Sequence, residues 1–186
     1  MQEIDFYSSI LSRVSTPLLI DPAPCELTLK KALGAGITAP DHGKLRPWRF
    51  KIFKGEGRLV LGETFLKAAL AKNTALSLDQ QDRMLKMPMR APLVLMVFAH
   101  CTEHSKVPRN EQLIAVGACV QNIQLALHAF GFGCMWRTGE MAYDTLVKKE
   151  LGLTEQDEII AFLYIGTAKE RLVRKDSLDI SSFIVS

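Results

Sequence analysis

Apolar side chains recur at helical spacing in five stretches of the chain. The longest stretch, residues 110–131, is apolar on almost all sides and stops at Gly131, so we expect it to be buried on most of its surface, in part by a second copy of the chain. Pro17, Pro22 and Pro24 impose an extended link after the first stretch, because proline fixes φ. The predicted helices cover residues 3–12, about 26 to 34 or 36, 57–86 in one or two pieces, 110–131 and 143–151.

Four other stretches are predicted to be strands. Residues 91–100 are almost wholly apolar, which is typical of a strand buried on both faces. Residues 46–57 favour a strand closed by a glycine-rich turn. With a short strand at 133–137 and a further strand at 158–168, the pattern predicts a sheet of about four strands separated by helices. The last residues end in an apolar FIVS, which indicates a tail that docks on a partner subunit.

Composition narrows the class of protein. The 186 residues suit one domain, and 48% hydrophobic with 23% charged residues argues for a globular chain. A net charge of +3 is too small to indicate nucleic-acid binding, and no apolar run reaches the roughly 18 residues of a membrane span. Four scattered cysteines without metal-ligand spacing, after a start that lacks signal-peptide features, predict reduced thiols in a cytoplasmic protein with no metal site.

The sharply defined catalytic motifs are absent from the sequence. It contains no GxSxG, HExxH, Walker loop or GxGxxG, so the hydrolase, metallopeptidase, P-loop and Rossmann interpretations lose their usual support. The segment GFGCMWRTG at 131–139 has glycine spacing but lacks the third glycine of a dinucleotide loop.

Cations and hydroxyl residues meet at the ends of three predicted elements. These places are residues 13–16 after the first helix, residues 38–49 before the first long strand, and residues 136–138 after the short strand. Each place taken alone is typical of a surface charge or a helix-end partner. Together they would suit a flat, phosphorylated cofactor, since Arg is a forked donor for phosphate and hydroxyls add short-range donors.

Several motifs in order give the chain a family resemblance. APDHGKLRPWRFKIFKGEG, RAPLVLMVFA, KVPRNEQ, GFGCMWRTG and EQDEIIAFLYIGTA resemble the nitroreductase family, especially its compact YdjA-like subgroup of NAD(P)H nitroreductases, from about residue 10 to 168. The resemblance implies an α+β fold: a three-layer α/β/α sandwich with a mostly antiparallel sheet. It also implies a homodimer holding FMN at the subunit interface, with NAD(P)H as co-substrate. Residues 1–186 would form a single flavin-binding domain, with 169–186 as an extension on the partner.

The resemblance also assigns residues to the site. Those implied to contact FMN are Arg13, Val14 and Ser15, then Thr38 and His42 acting on the flavin of the other subunit, and Trp136, Arg137 and Thr138. Those implied to bind nicotinamide are Ala126, Leu127, His128, Ala129, Phe130 and Gly131. The family often has a second arginine where this chain has Val14, and its close relatives tend to have tryptophan at Asn110. No residue is assigned to acid–base catalysis.

The expected activity is transfer of hydride from NAD(P)H through FMN to nitroaromatic or quinone-like acceptors, since a flavin carries the redox step itself and the protein places it. Two alternatives stay open. One is an FMN-binding protein of low turnover that acts as a carrier or interaction module. The other is a flavin dehydrogenase whose substrate is a metabolite without a nitro group. The only partners expected are a second copy of the chain and a small-molecule acceptor.

Overall fold

A five-stranded antiparallel sheet lies between two layers of helices in this computed structural model, which describes residues 6–170, 172 and 179–185. The strands are β1 (Leu19–Ile20), β2 (Trp48–Lys54), β3 (Leu93–His100), β4 (Gly133–Arg137) and β5 (Asp157–Ala168). The helices are α1 (Phe6–Ser12), α2 (Glu26–Gly36), α3 (Gly57–Lys72), α4 (Leu78–Lys86), α5 (Arg109–Ala129), α6 (Gly139–Tyr143) and α7 (Thr145–Glu150). Short 3₁₀ turns cover His42–Lys44, Met87–Arg90 and Ile180–Phe183.

Strand β5 organises the sheet. It pairs with β3 on one side, and β3 pairs with β2, so that Leu95 of β3 lies opposite both Ile52 and Leu163. On its other side β5 pairs with β4 and then, at its end, with β1. Strand β4 is therefore an outer strand of the sheet, next to the short β1.

Alternating side chains of β3 belong to two separate cores. Leu93, Leu95 and Val97 pack with α2 and α5, whereas Val94 and Met96 pack with α3, α6 and α7. All five side chains are buried, which confirms the predicted strand buried on both faces. The helices thus form one layer on each side of the sheet, and the predicted α+β fold with an antiparallel sheet is confirmed.

Most predicted helices and strands are confirmed, and the helix predicted over 143–151 is present as α7, which begins two residues later than predicted, at Thr145. Asp144 has extended backbone (φ −75°, ψ 124°) and separates α6 from α7. Its side chain accepts hydrogen bonds from the amides of Leu146 and Val147 at 2.8 and 3.0 Å, so it starts a new helix instead of continuing the old one. The side chain also pairs with Lys72 at 2.6 Å.

Two other stretches refine the predictions. The region 57–86 forms two helices because Ser77 and Gln80 form a capping box that starts α4. The extended link after the first helix contains β1. The predicted first helix begins within the described residues at Phe6, and residues 3–5 lie outside them.

The ends of the chain are described only in part. The tail predicted over 169–186 is described at 169–170, 172 and 179–185, where the 3₁₀ turn of Ile180–Phe183 is exposed. No helix among the described residues is long and apolar enough to cross a membrane.

Candidate functional site

A cavity of about 270 Å³ opens at the outer edge of the sheet, where the segment after α1 meets β4 and the end of α5. We call it the Arg13 cavity. Its walls include Arg13, Val14, Gln124, His128, Gly131 and Cys134. The structure thus brings two residues of the predicted flavin segment together with two of the predicted nicotinamide segment.

Backbone contacts fix Arg13 at this cavity. The amide of Thr16 donates to the carbonyl of Cys134 at 3.0 Å, which ties the segment after α1 to β4. Gly133 permits this close approach, since a Cβ there would lie 3.1 Å from the Cβ of Thr16 and 2.9 Å from a methyl of Leu19. The position of Arg13 therefore follows from a tight crossing of two backbone segments.

The guanidinium of Arg13 is not fully satisfied. Its Nη1 is buried and has no hydrogen-bond partner among the described residues. A buried donor without a partner loses its hydration and gains nothing in return, and for a charged group that cost is large. The group therefore favours an acceptor with negative charge.

Burial and the charge of Arg13 shift the pKa values of two other groups in the Arg13 cavity. Burial lowers the pKa of His128, and the nearby charge of Arg13 lowers it further, so the imidazole is neutral near pH 7. The His128 ring is held by a 3.0 Å hydrogen bond between its Nε2 and the Ser12 hydroxyl. Burial raises the pKa of the Cys134 thiol to about 12, so it stays protonated.

A second cavity, of about 280 Å³, lies at the other end of β4 and contains Trp136, Arg137 and Thr138. We call it the Arg137 cavity. The Arg137 guanidinium lies 5.6 Å from the centre of the Tyr164 ring, a cation–π contact. The Trp136 indole N–H donates to the carbonyl of Ile160 at 3.0 Å, which fixes the ring. Burial raises the pKa of Tyr164.

Thr38 and His42 lie away from both cavities in the same chain. Thr38 lines an apolar cavity of about 440 Å³ with Ala126 and Ala129, between α1, α2 and α5. Its hydroxyl donates to the carbonyl of Ala35 at 2.8 Å. His42 pairs through Nδ1 with Glu111 at 2.6 Å. Within one chain, then, these two residues do not complete the Arg13 cavity.

The loop that carries His42 has a strained backbone. Lys44 and Arg46 have φ of 55° and 50°, values that side chains other than glycine rarely adopt. The Arg46 amide donates to the Asp41 carboxylate at 2.6 Å, which closes the turn. Backbone strain of this kind costs free energy and persists where the surroundings hold it.

The predicted nicotinamide segment, residues 126–131, divides between environments. His128 and Gly131 line the Arg13 cavity, while Ala126 and Ala129 face the apolar cavity beside Thr38. The Leu127 side chain is fully buried in the core, and Phe130 is exposed. Ser15, which the resemblance assigns to FMN, is exposed and does not line the Arg13 cavity.

Sequence reasoning missed several polar partners in these places. Gln124 lines the Arg13 cavity, Ser12 bonds the His128 ring, and Glu111 pairs with His42. Gln124 precedes His128 by four residues and so lies on the same face of α5, a spacing that the sequence does display. The partners Ser12 and Glu111 depend on tertiary packing and have no comparable signal.

Comparison with known proteins identifies the family of this chain. A sequence model described as the Nitroreductase family matches residues 21–167. The candidate NAD(P)H nitroreductase YdjA of Escherichia coli strain K12 is 39% identical over 166 residues, which cover 88% of each chain. A candidate NAD(P)H nitroreductase of Haemophilus influenzae is 34% identical over 173 residues, covering 92% of this chain and 93% of that protein.

Solved structures show the same fold. A nitroreductase-like family protein from Bacillus cereus superposes with a TM-score of 0.83 at 26% identity, covering 100% of this chain and 97% of that one. A candidate nitroreductase from Desulfovibrio desulfuricans in complex with FMN gives a TM-score of 0.74 at 21% identity, covering 100% and 98%. The chain belongs to the nitroreductase family of oxidoreductases, and the resemblance seen in its motifs is confirmed.

Proposed function

We propose that this chain is an FMN-dependent enzyme that transfers hydride from NAD(P)H to nitroaromatic or quinone-like acceptors. Its relatives YdjA and the Haemophilus influenzae protein are named as candidate NAD(P)H nitroreductases, and one structural neighbour is a complex with FMN. The observation that carries the proposal for this chain is the buried Nη1 of Arg13 in the Arg13 cavity, which has no hydrogen-bond partner in the part of the chain that the structure describes.

The Arg13 cavity fits the phosphate end of FMN. A phosphate offers the charged acceptor that the Arg13 guanidinium lacks among the described residues. Val14 contributes an apolar wall where a second cation is common in the family, so Arg13 carries more of the phosphate interaction here. Ser15, which follows Val14, is exposed and would reach the FMN phosphate only from outside the cavity.

The size of the Arg13 cavity supports a site that is shared between two chains. Its 270 Å³ falls below the roughly 300–1,000 Å³ typical of pockets that enclose a ligand of this kind. We propose that Thr38 and His42 of a second copy complete it in a homodimer. Apolar side chains on the outside of the α1 and α5 layer support such an interface, with Phe6 72% and Ile114 71% exposed.

The remaining site residues would orient the ring and the nicotinamide. When bound, FMN would supply the two-electron redox chemistry, which needs no acid–base residue from the chain. Arg137, held over Tyr164, is a cation available to negative charge on the ring, and Trp136 to Thr138 fix the end of β4 beside it. Of the segment Ala126 to Gly131, Ala126 and Ala129 at the apolar cavity beside Thr38 would bound the approach of the nicotinamide. The strained loop before Trp48 presents His42 to the partner.

The proposal also covers the C-terminal tail and the location of the protein in the cell. The exposed 3₁₀ turn of Ile180–Phe183 supports packing of the tail, residues 169–186, on the partner subunit. All four cysteines are free thiols, which supports the cytoplasm as the location.

The test separates the phosphate from the flavin ring. Wild-type protein is titrated with FMN and with riboflavin, which lacks the phosphate, and we expect FMN to bind more tightly. Arg13→Met should weaken FMN binding by about 10- to 100-fold and leave riboflavin binding unchanged, since a hydrogen bond to a charged group contributes about 1.5–3 kcal/mol.

The matched control is Arg83→Met, which removes an exposed cation from α4. It should bind both ligands as wild type does. Equal affinity of the wild type for FMN and riboflavin would contradict the proposed phosphate site.

A further inference from the structure

His128 shares the Arg13 cavity with the guanidinium that is proposed to hold the FMN phosphate. The resemblance assigns this histidine to nicotinamide, but in the structure it lines the same cavity as Arg13. Its ring lies near enough to Arg13 for that charge to act on it, and the Ser12 hydroxyl holds its Nε2 at 3.0 Å. An imidazole so placed is fixed in orientation and open to the cavity.

We propose that His128 is a second phosphate-binding residue, which takes up a proton from solvent when the FMN phosphate enters the Arg13 cavity and then pairs with it as a cation. The proposal rests on the proposed function, because it takes FMN as the ligand. Ser12 acts as the positioning residue, since its hydroxyl can exchange hydrogen-bond roles with Nε2 as the ring gains a proton.

The charges around His128 support a change of protonation on binding. The groups that face it are Arg13 and Ser12 from the end of α1, Cys134 from β4, and Gln124 from its own helix. No carboxylate is among the described residues that line the cavity, and Cys134 stays neutral. Burial and the Arg13 charge therefore keep the pKa of His128 below its ordinary value until an anion arrives.

A phosphate dianion would act on the pKa of His128 in the opposite direction. An opposite charge within about 4–6 Å favours the protonated form of an imidazole, so the phosphate would raise the pKa of His128. Because the complex then binds one proton more than the separate molecules, FMN affinity falls as pH rises through the raised pKa. We expect FMN to bind more weakly at pH 8.5 than at pH 6.5, with a loss of at most about tenfold for each pKa unit that the phosphate adds.

The direct test is isothermal titration calorimetry at pH 7.5 in two buffers of different ionisation enthalpy. The wild type should take up at least a few tenths of a proton per FMN and none with riboflavin. The phosphate itself cannot imitate this result, since its second pKa is about 6 and binding of the dianion would release protons. This measurement needs no variant.

Two variants test whether His128 is the group that takes up the proton. His128→Gln keeps a hydrogen-bonding side chain toward Ser12 and should abolish the uptake, weaken FMN binding at pH 6.5 and leave it close to wild type at pH 8.5. His104→Gln is the matched control, because that histidine lies on another cavity and contacts the Lys106 amide. It should retain both the uptake and the pH dependence.

The outcomes separate this inference from the proposed function. If the wild type binds FMN no better than riboflavin, the proposed phosphate site itself fails. If FMN binding depends on Arg13 but shows no proton uptake, or if His128→Gln retains the wild-type uptake, the role of His128 is overturned and the proposed function stands.

Discussion

Burial separates the four cysteine thiols into two chemical groups. Cys101, Cys119 and Cys134 are buried, and burial raises the pKa of Cys119 and Cys134 to about 12. Cys25 is exposed at the start of α2, and a hydrogen bond from the Thr28 side chain lowers its pKa. Since the thiolate is the reactive form, one thiol of the folded chain should dominate its reactivity.

We therefore expect a disulfide reagent to modify about one thiol per native chain, and all four after denaturation. Cys25→Ser should remove the fast reaction. Thr28→Val should slow it, because the thiolate loses the hydroxyl that stabilises it. Rapid modification of native Cys25→Ser protein would show that a buried thiol is accessible.

Single residues show where sequence interpretation succeeds and where it stops. Arg13 and His128 carry recognisable chemistry in the sequence, and the motifs predict that both belong to the site. That they face one another across a cavity follows from the Thr16–Cys134 hydrogen bond, which joins segments far apart in the chain. The sequence does not display such a contact. That Nη1 is buried, with no partner among residues 6–170, 172 and 179–185, could therefore be found only in the structure.

At the scale of elements, the packing of α3 on α4 depends on one missing side chain. Gly62 lies inside α3, and a Cβ there would overlap the backbone carbonyl of Leu85 in α4. Gly34, inside α2, has no atom near the corresponding position. The two glycines therefore differ in packing while sharing helical backbone.

We expect Gly62→Ala to lower the free energy of unfolding by about 1–3 kcal/mol, as overpacking does. Gly34→Ala should instead raise it by up to about 1 kcal/mol, because alanine is the better helix former. Denaturant unfolding of the apo-protein measures both. Similar effects of the two substitutions would contradict the described packing of α3 on α4.

The apolar pattern predicts element types better than element boundaries. It is sufficient for β3, because a short, fully apolar run between a proline and a polar loop is typical of a strand buried on both faces. At 143–151 it predicts the helix but not its start, because apolar residues continue at helical spacing across Asp144 while α7 begins at Thr145. There the outcome depends on one side chain that accepts two amide hydrogen bonds, a local competition to which hydrophobic spacing is insensitive.

At the scale of the whole molecule, the proposed FMN site requires two copies of the chain. Thr38 and His42 lie apart from the Arg13 cavity within one chain, and apolar side chains remain exposed on the layer formed by α1, α2 and α5. A two-fold symmetric pair would place the same surface on both copies and so form two identical sites. The dimer is thus tied to FMN binding in this proposal.

We expect the wild type to sediment as a dimer at micromolar concentration. Ile114→Lys places a charge on the proposed interface and should give a monomer with weaker FMN binding. Leu78→Lys is the control, because Leu78 is 81% exposed on α4 in the opposite layer. A wild-type monomer, or a monomeric variant with undiminished FMN affinity, would contradict the shared site.

The most direct test of the central claim is anaerobic mixing of the FMN-loaded wild type with NADH and with NADPH, followed through the visible absorbance of oxidised flavin. The account predicts that at least one nucleotide bleaches this absorbance and that a nitroaromatic or quinone acceptor restores it. Bleaching without restoration by any acceptor would favour another substrate class. Retention of the oxidised absorbance with both nucleotides would contradict hydride transfer and leave a flavin carrier as the better description.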